Sequence, residues 1–284
     1  MDWNEVPEAV GEPDFAQLAT VLQGGRPQRA TLFEFFMNGP LYARLAGPPQ
    51  PSWPDHLRDH LTMVRAFRRA GYDYATFRVP GLAFPAGAVA KLSTKSINDG
   101  AVIRDRQTLL DYAWMDPEPA HYGILDDAAP YVPEGMKLVV HWPGGVLENA
   151  ITLVGYEPLC LMICDDPELA EQVFRGIGSR LVRFTELMAR HEAVGAVIGN
   201  DDWGFKSQTM LSPADMRRLV FPWHQQAVAA AHAHGKPTIL HSCGSLREVM
   251  DDVVDGMRYD GKHSFEDAIQ PIEAAYDEYH ERIA

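Results

Sequence analysis

Short apolar runs alternate with longer amphipathic segments along most of the 284-residue chain, and this alternation constrains the fold more than any other feature. The apolar runs are nearly continuous, which is typical of parallel strands that are covered on both faces. Strands separated by helices predict an α/β fold with a parallel sheet. The predicted strands are 30–36, 72–79, 136–142, 159–163, 194–200, 236–242 and, with a weaker pattern, 258–264.

Two long helices between these strands carry clear start signals. Asp166 and Ser212 are capping residues, and each is followed directly by a proline, which helices accept in their first turn. The second of these helices contains Pro222, where we expect a kink. A third helix is expected to begin at Ser245, which has capping-box spacing to Glu248.

The strand count favours a (β/α)8 TIM barrel in a single domain, 1–284. No G-x-G-x-x-G follows the first predicted strand, which argues against a dinucleotide-binding fold. The last βα unit is missing, so we expect a truncated sequence or an open barrel. Residues 80–135 form a long insertion after the second strand, in which Asp99-Gly100 indicates a hairpin. This insertion is either a lid over the barrel mouth or a decoration.

Composition excludes several classes of protein. The net charge of −14 disfavours nucleic acid and anionic membrane surfaces as partners. No apolar run reaches 18 residues, and the acidic N-terminus lacks a signal pattern, so we expect a cytoplasmic protein without a membrane span. Three cysteines do not make a disulfide framework. Cys160 and Cys164 lie in an apolar run and are expected to be small buried hydrophobes.

The third cysteine lies in a different setting, at the end of the strand "KPTILHS". His241 and Cys243 are two residues apart, so their side chains are expected to point the same way, into the barrel at its catalytic end. Thiolate and imidazole together select zinc over magnesium or calcium. The helix expected at Ser245 would add positive potential and favour the thiolate. The alternative is a buried histidine and a buried cysteine that are neighbours by chance.

Acidic residues follow the strand before it. Asp201 and Asp202 close the strand 194–200 and face opposite ways on an extended chain, so at most one points into the site. That carboxylate is a candidate general acid or base, and a loop turn capped by aspartate is the alternative. Two further residues are candidate metal ligands: Glu34, inside an apolar strand, and His263, at the end of the seventh predicted strand, 258–264.

The C-terminal half of the chain resembles the uroporphyrinogen decarboxylase superfamily, which also contains zinc-dependent, corrinoid-linked methyltransferases such as methylcobamide:coenzyme M methyltransferases. The resemblance rests on the acid pair, then "SPADMRRLVFPW", then "HSCG", in that order. It covers 130–268 well and the N-terminal third loosely. It implies a TIM barrel of the uroporphyrinogen decarboxylase type.

Two differences favour the methyltransferase branch. After the first strand the chain reads "FEFFMNGPLYARLAG", with Arg44 as the only basic residue, where decarboxylases of the superfamily hold substrate carboxylates with arginine. The H-x-C of 241–243 resembles the zinc-binding histidine and cysteine of the methyltransferases. In that branch a second cysteine comes from the last strand, which this chain lacks.

The resemblance implies zinc-assisted methyl transfer between a small methylated substrate or thiol and a corrinoid (methylcobalamin), brought by a separate corrinoid protein. Asn38, Trp203 and Lys206 are the candidate substrate-binding residues. Two alternatives stay open: a uroporphyrinogen-III decarboxylase of porphyrin biosynthesis, which needs no metal, and a non-catalytic barrel that binds a ligand. Whether the chain forms a homodimer is open as well.

Overall fold

A computed structural model describes residues 11–87, 98 and 100–284, apart from the side chains of 120 and 121. In this part of the chain five parallel strands form one sheet in the order β1-β2-β3-β4-β5, so every strand pairs with its neighbour in sequence. The strands are β1 (Tyr74–Arg78), β2 (Lys137–His141), β3 (Val194–Asn200), β4 (Thr238–His241) and β5 (Gly261–His263). The predicted α/β fold with a parallel sheet is confirmed.

The helices connect the strands and cover the sheet. The α-helices are α1 (Phe15–Leu22), α2 (Gly39–Ala46), α3 (Arg58–Arg69), α4 (Arg106–Leu110), α5 (Gly123–Ala128), α6 (Val146–Val154), α7 (Tyr156–Asp165), α8 (Pro167–Ala189), α9 (Pro213–Asp215), α10 (Phe221–His232) and α11 (Ile272–Tyr279). Short 3₁₀ helices span Asp55–Leu57, Pro119–Tyr122, Ala129–Tyr131 and Arg247–Val249, and π-helical turns span Met216–Val220 and Asp252–Met257.

The core lies between the sheet and the long helices α8 and α10. Trp142, directly after β2, donates from Nε1 to the Thr185 hydroxyl of α8 at 2.8 Å. The two helices approach closely because Gly178 has no side chain: a Cβ there would lie 2.1 Å from Cγ of Trp223. The capping side chains of Asp166 and Ser212 accept hydrogen bonds from the first turns of α8 and α9, as predicted.

The predicted strand at 30–36 is wrong, because its main chain pairs with a side chain instead of a neighbouring strand. The Tyr74 hydroxyl accepts from the Glu34 N–H and donates to the Glu34 carbonyl, both at 2.7 Å. Both main-chain groups of Glu34 are therefore used outside a strand ladder. The ring of Phe33 lies against His263, and the ring of Phe35 lies against His141 and His241, all at the end of the sheet.

The predicted strand at 159–163 is also wrong, since these residues belong to α7. Leu159, Met162 and Ile163 are buried, whereas Leu161 is 58% exposed, which is helical spacing. A short apolar run does not by itself distinguish a strand from a helix. The turn before it is made by Gly155, whose φ of 87° separates α6 from α7.

One expected helix start differs in the structure, and the helix that contains Pro222 begins with a π turn. The helical segment after β4 begins at Arg247 with Leu246 as its cap and no capping side chain, so the capping box of Ser245 and Glu248 is not formed. Directly before Pro222 the helix passes through the π turn Met216–Val220, and the proline lies in the first turn of α10. The kink expected at Pro222 stays a prediction.

Barrel closure stays a prediction, and the hairpin at Asp99 lies outside the described residues. At the free edge of β5, the Ala284 N–H donates to the Asp260 carbonyl and the Ala284 carbonyl accepts from the Lys262 N–H, which is the pattern of a parallel neighbour. Residues 101–135 contribute α4 and α5, and the N–H groups of Val102 and Ile103 bind the Leu153 carbonyl.

Among the described residues no single helix is long and apolar enough to cross a membrane. Within the same part of the chain, one bent pair of helices, α6 and α7 with 95° between them, meets that length and composition when the two are joined.

Candidate metal centre

The carboxyl ends of the strands bring several polar side chains to one face of the sheet. Residues paired in parallel register point the same way, and Asn200 pairs with His241, which pairs with His263. On the same face, two residues earlier along β3, Ile198 pairs with His141, which pairs with Arg78. We call this group of strand-end residues the rim.

Three side chains of different chemistry meet at the rim: Asp202, His241 and Cys243. One ligand atom from each lies within 4.8 Å of the other two. The His241 Nε2 is 4.0 Å from the Cys243 Sγ and 3.9 Å from the Asp202 Oδ1. We call these three residues the triad. The structure therefore brings together His241, Cys243 and one of the two predicted aspartates.

Hydrogen bonds hold the triad in place. The Asp202 Oδ1 accepts from the Cys243 N–H at 2.8 Å, which ties the loop after β3 to the loop after β4. The Nδ1 atoms of His241 and His263 are 2.8 Å apart, so one donates and the other accepts. This bond turns the His241 Nε2 toward the thiol. His263 thus lies beside the triad, where it orients His241.

Two glycines let the loops that carry the triad touch along their main chains. A Cβ on Gly244 would lie 2.2 Å from the Gly204 carbonyl oxygen, and a Cβ on Gly204 would lie 2.6 Å from the Ser245 nitrogen. The Gly204 N–H donates to the Cys243 carbonyl at 3.1 Å. Gly244 has φ of 82°, a conformation that favours glycine. The glycine that follows H-x-C is therefore required by loop contact.

Burial keeps the two imidazoles neutral. It lowers the pKa of His241, and burial together with the neighbouring His241 lowers the pKa of His263 to about 4. A neutral imidazole has a lone pair for a metal. Lys262 precedes His263 on β5 and points to the other face of the sheet, and its pKa falls to about 8 because its ammonium is buried.

The thiol differs from the expectation that a helix would favour its thiolate. Burial, and then the charge of Asp202, raise the pKa of Cys243, and the helical segment begins only at Arg247. The Ser264 hydroxyl lies 3.7 Å from the sulfur and lowers the pKa in part. Without a cation the thiol keeps its proton, and a bound metal would supply the charge that removes it.

Glu34 lies near the triad but does not join it. Its charge raises the pKa values of His241 and His263, although burial outweighs this effect. Its Oε1 accepts from the N–H of Phe35 at 2.8 Å. The Phe35 ring, 8% exposed, packs 4.8 Å from the ring of His241.

Asp201 points to the opposite side of the sheet from Asp202, as expected for adjacent residues. Its carboxylate is fully buried and accepts from three N–H groups in the first turn of α6, at 2.9 to 3.0 Å, and from the His224 Nε2 at 3.0 Å. The His224 Nδ1 then accepts from the Tyr259 hydroxyl at 2.7 Å. Gly145 leaves the space for this carboxylate, since a Cβ there would lie 2.1 Å from it. Asp201 therefore joins β3, α6 and α10.

The three predicted substrate-binding residues lie in different places. Asn38 caps α2, with its Oδ1 accepting from the Leu41 N–H at 2.9 Å. Trp203 is fully buried, and its ring packs against Phe221 and His224, away from the triad. Its main-chain N–H donates to the Ser242 hydroxyl. Only Lys206 lines an open space next to the site.

That space is a cavity of about 380 Å³ beside the triad. Its lining combines the cations Lys206, Arg247 and Lys262 with Glu266 and the hydroxyl of Ser264. Ser264 contacts Cys243, so the cavity adjoins the sulfur. Asp202, His241 and Cys243 themselves do not line the cavity, and Ser264 is the residue that connects it to the triad.

The sequence reasoning missed His141, which ends β2 on the rim. The signal was present, because histidine is the next-to-last residue of the run 136–142, just as it is of the run 236–242. Its Nδ1 donates to the Trp142 carbonyl at 3.0 Å, and burial lowers its pKa. Its ring lies 5.2 Å from that of Phe35, which also contacts His241.

Comparison with known proteins gave two findings. The family model for uroporphyrinogen decarboxylase (URO-D) matches residues 138–284. Among solved structures, a methyltransferase from Methanosarcina mazei is similar, with a TM-score of 0.67 and 16% sequence identity over 96% of this chain and 82% of that chain. This structural likeness shows the fold. No curated protein sequence matches the chain.

Proposed function

Because the chain belongs to the uroporphyrinogen decarboxylase family, we propose that it is a zinc-dependent methyltransferase that moves a methyl group between a small methylated substrate or thiol and a corrinoid. One observation carries the proposal: the sulfur, nitrogen and oxygen atoms of Cys243, His241 and Asp202 converge within 4.8 Å at the rim. In barrels of this class, reacting groups lie at the carboxyl ends of the strands.

The chemistry of the triad fits zinc. Sulfur and imidazole nitrogen select zinc over magnesium or calcium, and a carboxylate oxygen completes a ligand set that zinc accepts. Three protein ligands leave a fourth position for substrate, which is the pattern of catalytic rather than structural zinc. The His263 contact to the other nitrogen of His241 is the outer hydrogen bond that metal-binding histidines commonly make.

When bound, zinc would act as a Lewis acid that lowers the pKa of a substrate thiol or hydroxyl. The protein's own residues would orient the reactants. The cavity beside Cys243 would hold the substrate, with Lys206 and Ser264 as polar contacts. In the thiol direction, the sulfur gains a bond to the methyl carbon, the cobalt–carbon electron pair stays on cobalt, and the thiol proton is released.

The corrinoid would approach the open side of the rim, carried by a partner protein. The segment around Phe33 and Phe35 packs on the imidazoles of the rim. Three apolar side chains in and next to this segment are exposed: Leu32 (48%), Phe36 (64%) and Leu41 (40%). Exposed apolar side chains beside a polar site are suited to contact with a large planar cofactor or its carrier. This placement supports the partner prediction.

Uroporphyrinogen decarboxylation is the alternative within the family. Its substrate carries many carboxylates, whereas the protein has a net charge of −14 and places Glu34, Asp202 and Glu266 around the rim. Those charges would repel a polyanion. The neighbouring cavity is lined by the cations Lys206, Arg247 and Lys262, so the preference for methyl transfer rests on the ligand atoms of the triad.

Zinc analysis of the purified protein tests the proposal. We expect about one zinc per chain, since the triad is one site, and near-complete loss in Cys243→Ser. The matched control is Cys164→Ser, which changes an exposed cysteine of α7. Zinc-loaded protein should convert methylcobalamin to cob(I)alamin with a thiol acceptor, followed by absorbance. Equal zinc content in both variants, or decarboxylation of uroporphyrinogen by metal-free protein, would contradict the proposal.

A further inference from the structure

The cavity beside the triad carries charges of both signs on separate loops. Lys206 follows β3, Arg247 follows β4 and Glu266 follows β5, and all three side chains line the space. The volume of about 380 Å³ is at the small end for ligand pockets in proteins. A molecule that matches this cavity is therefore small and carries a positive as well as a negative charge.

The two cations on the loops after β3 and β4 are open to a ligand. Lys206 makes no hydrogen bond or ion pair with any residue that the structure describes. Arg247 has one carboxylate near it, that of Glu278 at 3.8 Å, and its side chain is 68% exposed. The Ser245 N–H donates to the Phe205 carbonyl at 2.8 Å, so the two loops touch and their cations lie on the same side of the cavity.

A third cation, Lys262, is used by the protein itself. Its Nζ donates to the Ser264 carbonyl and lies 3.9 Å over the ring of Phe265. This fixes the start of the loop after β5, where the Ser264 hydroxyl lies 3.7 Å from the Cys243 sulfur. Lys262 therefore holds in place the side of the cavity that adjoins the triad.

The acidic group of the cavity is Glu266. Its Oε1 accepts from the Gly244 N–H at 2.8 Å, which fixes the carboxylate, while its Oε2 makes no hydrogen bond within the described residues. A carboxylate oxygen with free lone pairs binds an ammonium through a charge-assisted hydrogen bond. A second carboxylate in the lining, that of Glu248, is exposed next to Arg247.

The charged groups lie at the open end of the cavity, and apolar side chains form the rest. Lys206, Arg247 and Glu266 are all exposed. The apolar lining consists of Leu246, Met250, Phe265 and Ile269. A ligand that fits has both charges together at one end and an apolar chain that extends toward Ser264. An α-amino acid has this arrangement, because its ammonium and its carboxylate are attached to the same carbon.

We propose that the cavity binds a free α-amino acid, with its carboxylate held by Lys206 and Arg247, its ammonium held by Glu266 and its side chain directed toward Ser264 and Cys243. That this side chain gives or accepts the methyl group rests on the proposed function, whereas binding of the amino acid needs no metal.

Four molecules built on similar carbon chains test the proposal by calorimetry on zinc-free protein. L-norleucine has an apolar side chain that suits the lining, hexanoate lacks its ammonium, and pentylamine lacks its carboxylate. We expect L-norleucine to bind about 10- to 100-fold more tightly than either, which is the value of a charged hydrogen bond, and more tightly than D-norleucine. Hexanoate or pentylamine binding as well as L-norleucine would overturn the assignment to an amino acid, and absence of L-norleucine binding at millimolar concentration would overturn the site.

Variants assign each charge of the ligand to its partner. Lys206→Gln should weaken L-norleucine and hexanoate about tenfold and leave pentylamine unchanged. Glu266→Gln, which keeps an acceptor for the Gly244 N–H, should weaken L-norleucine and pentylamine and leave hexanoate unchanged. The matched controls, Arg175→Gln and Glu157→Gln, each remove an exposed charge outside the cavity lining and should change nothing.

Two outcomes would refute the inference: unchanged affinity for L-norleucine in both cavity variants, or an equal loss for all ligands in both. Loss of zinc or absence of methyl transfer, with L-norleucine binding intact, would count against the proposed function alone.

Discussion

Asp201 and Asp202 are neighbours in the chain, but their carboxylates lie in opposite environments. Asp201 is fully buried on the helix side of the sheet and accepts four hydrogen bonds. Asp202 is 42% exposed on the rim and accepts one, from the Cys243 N–H. A carboxylate whose lone pairs are all taken positions other groups, whereas one with free lone pairs is available to a metal or substrate.

The same contrast holds for the histidines on the two sides. Both ring nitrogens of His224 are bonded to protein, to Asp201 and Tyr259. His241 uses Nδ1 for His263 and has Nε2 directed at the triad. The helix side therefore provides rigidity, and the rim provides open ligand positions.

The largest effect should come from removing the buried carboxylate. Asp201→Ala leaves the N–H groups of the first turn of α6 and the Nε2 proton of His224 without a partner, so we expect a loss of about 3 to 5 kcal/mol in the free energy of unfolding. Urea denaturation measures it. Asp202→Ala should cost under about 1 kcal/mol as a surface change. Similar losses in both variants would remove the distinction between the two sides.

Metal affinity should show the reverse order. Asp202→Asn removes the charge of one proposed ligand, and we expect zinc affinity to fall by at least about tenfold while stability is unchanged. Competition with a chromogenic chelator measures the affinity. The control is Glu266→Gln, which keeps an acceptor for the Gly244 N–H and lies outside the triad. An equal fall in both variants would point to general charge rather than ligation.

The free energy of unfolding should depend on pH differently for the helix side of the sheet than for the rim. Burial, and then the charge of Asp201, raise the pKa of Glu148 from 4.5 to about 8, so the native state favours the protonated acid. Its contribution to stability is present below pH 4.5 and is lost as the pH rises toward 8. Glu148→Gln should flatten this decline in denaturation measured across the range. Glu157→Gln, on α7, is the control, and a slope that survives Glu148→Gln would contradict the assignment.

The rim should show a smaller dependence in the opposite direction. The pKa of His263 is lowered from 6.5 to about 4, so the unfolded chain binds the proton more readily than the native state. Stability should therefore fall as the pH drops from about 6.5 to 4. His263→Gln should reduce that fall in metal-free protein. An unchanged profile would mean that another group titrates in this range.

Much of the architecture could be predicted from local patterns. Five of the seven predicted strands form, and the capped starts at Asp166 and Ser212 are confirmed, because apolar runs and caps act over a few residues. The two wrong strands have one cause in common. At 30–36 the hydroxyl of Tyr74, far away in the chain, binds the main chain, and 159–163 is part of a helix. Periodicity over so few residues does not distinguish a strand from an irregular segment or a helix.

The sequence alone determined that His241 and Cys243 share a face and that Asp201 and Asp202 do not, because side chains alternate along an extended chain. Only the tertiary structure decided which aspartate meets the triad, that His263 supports His241, and that His141 shares the rim with Arg78. These relations depend on the register of strands far apart in the chain and on glycine contacts between loops, and no local pattern encodes such distances.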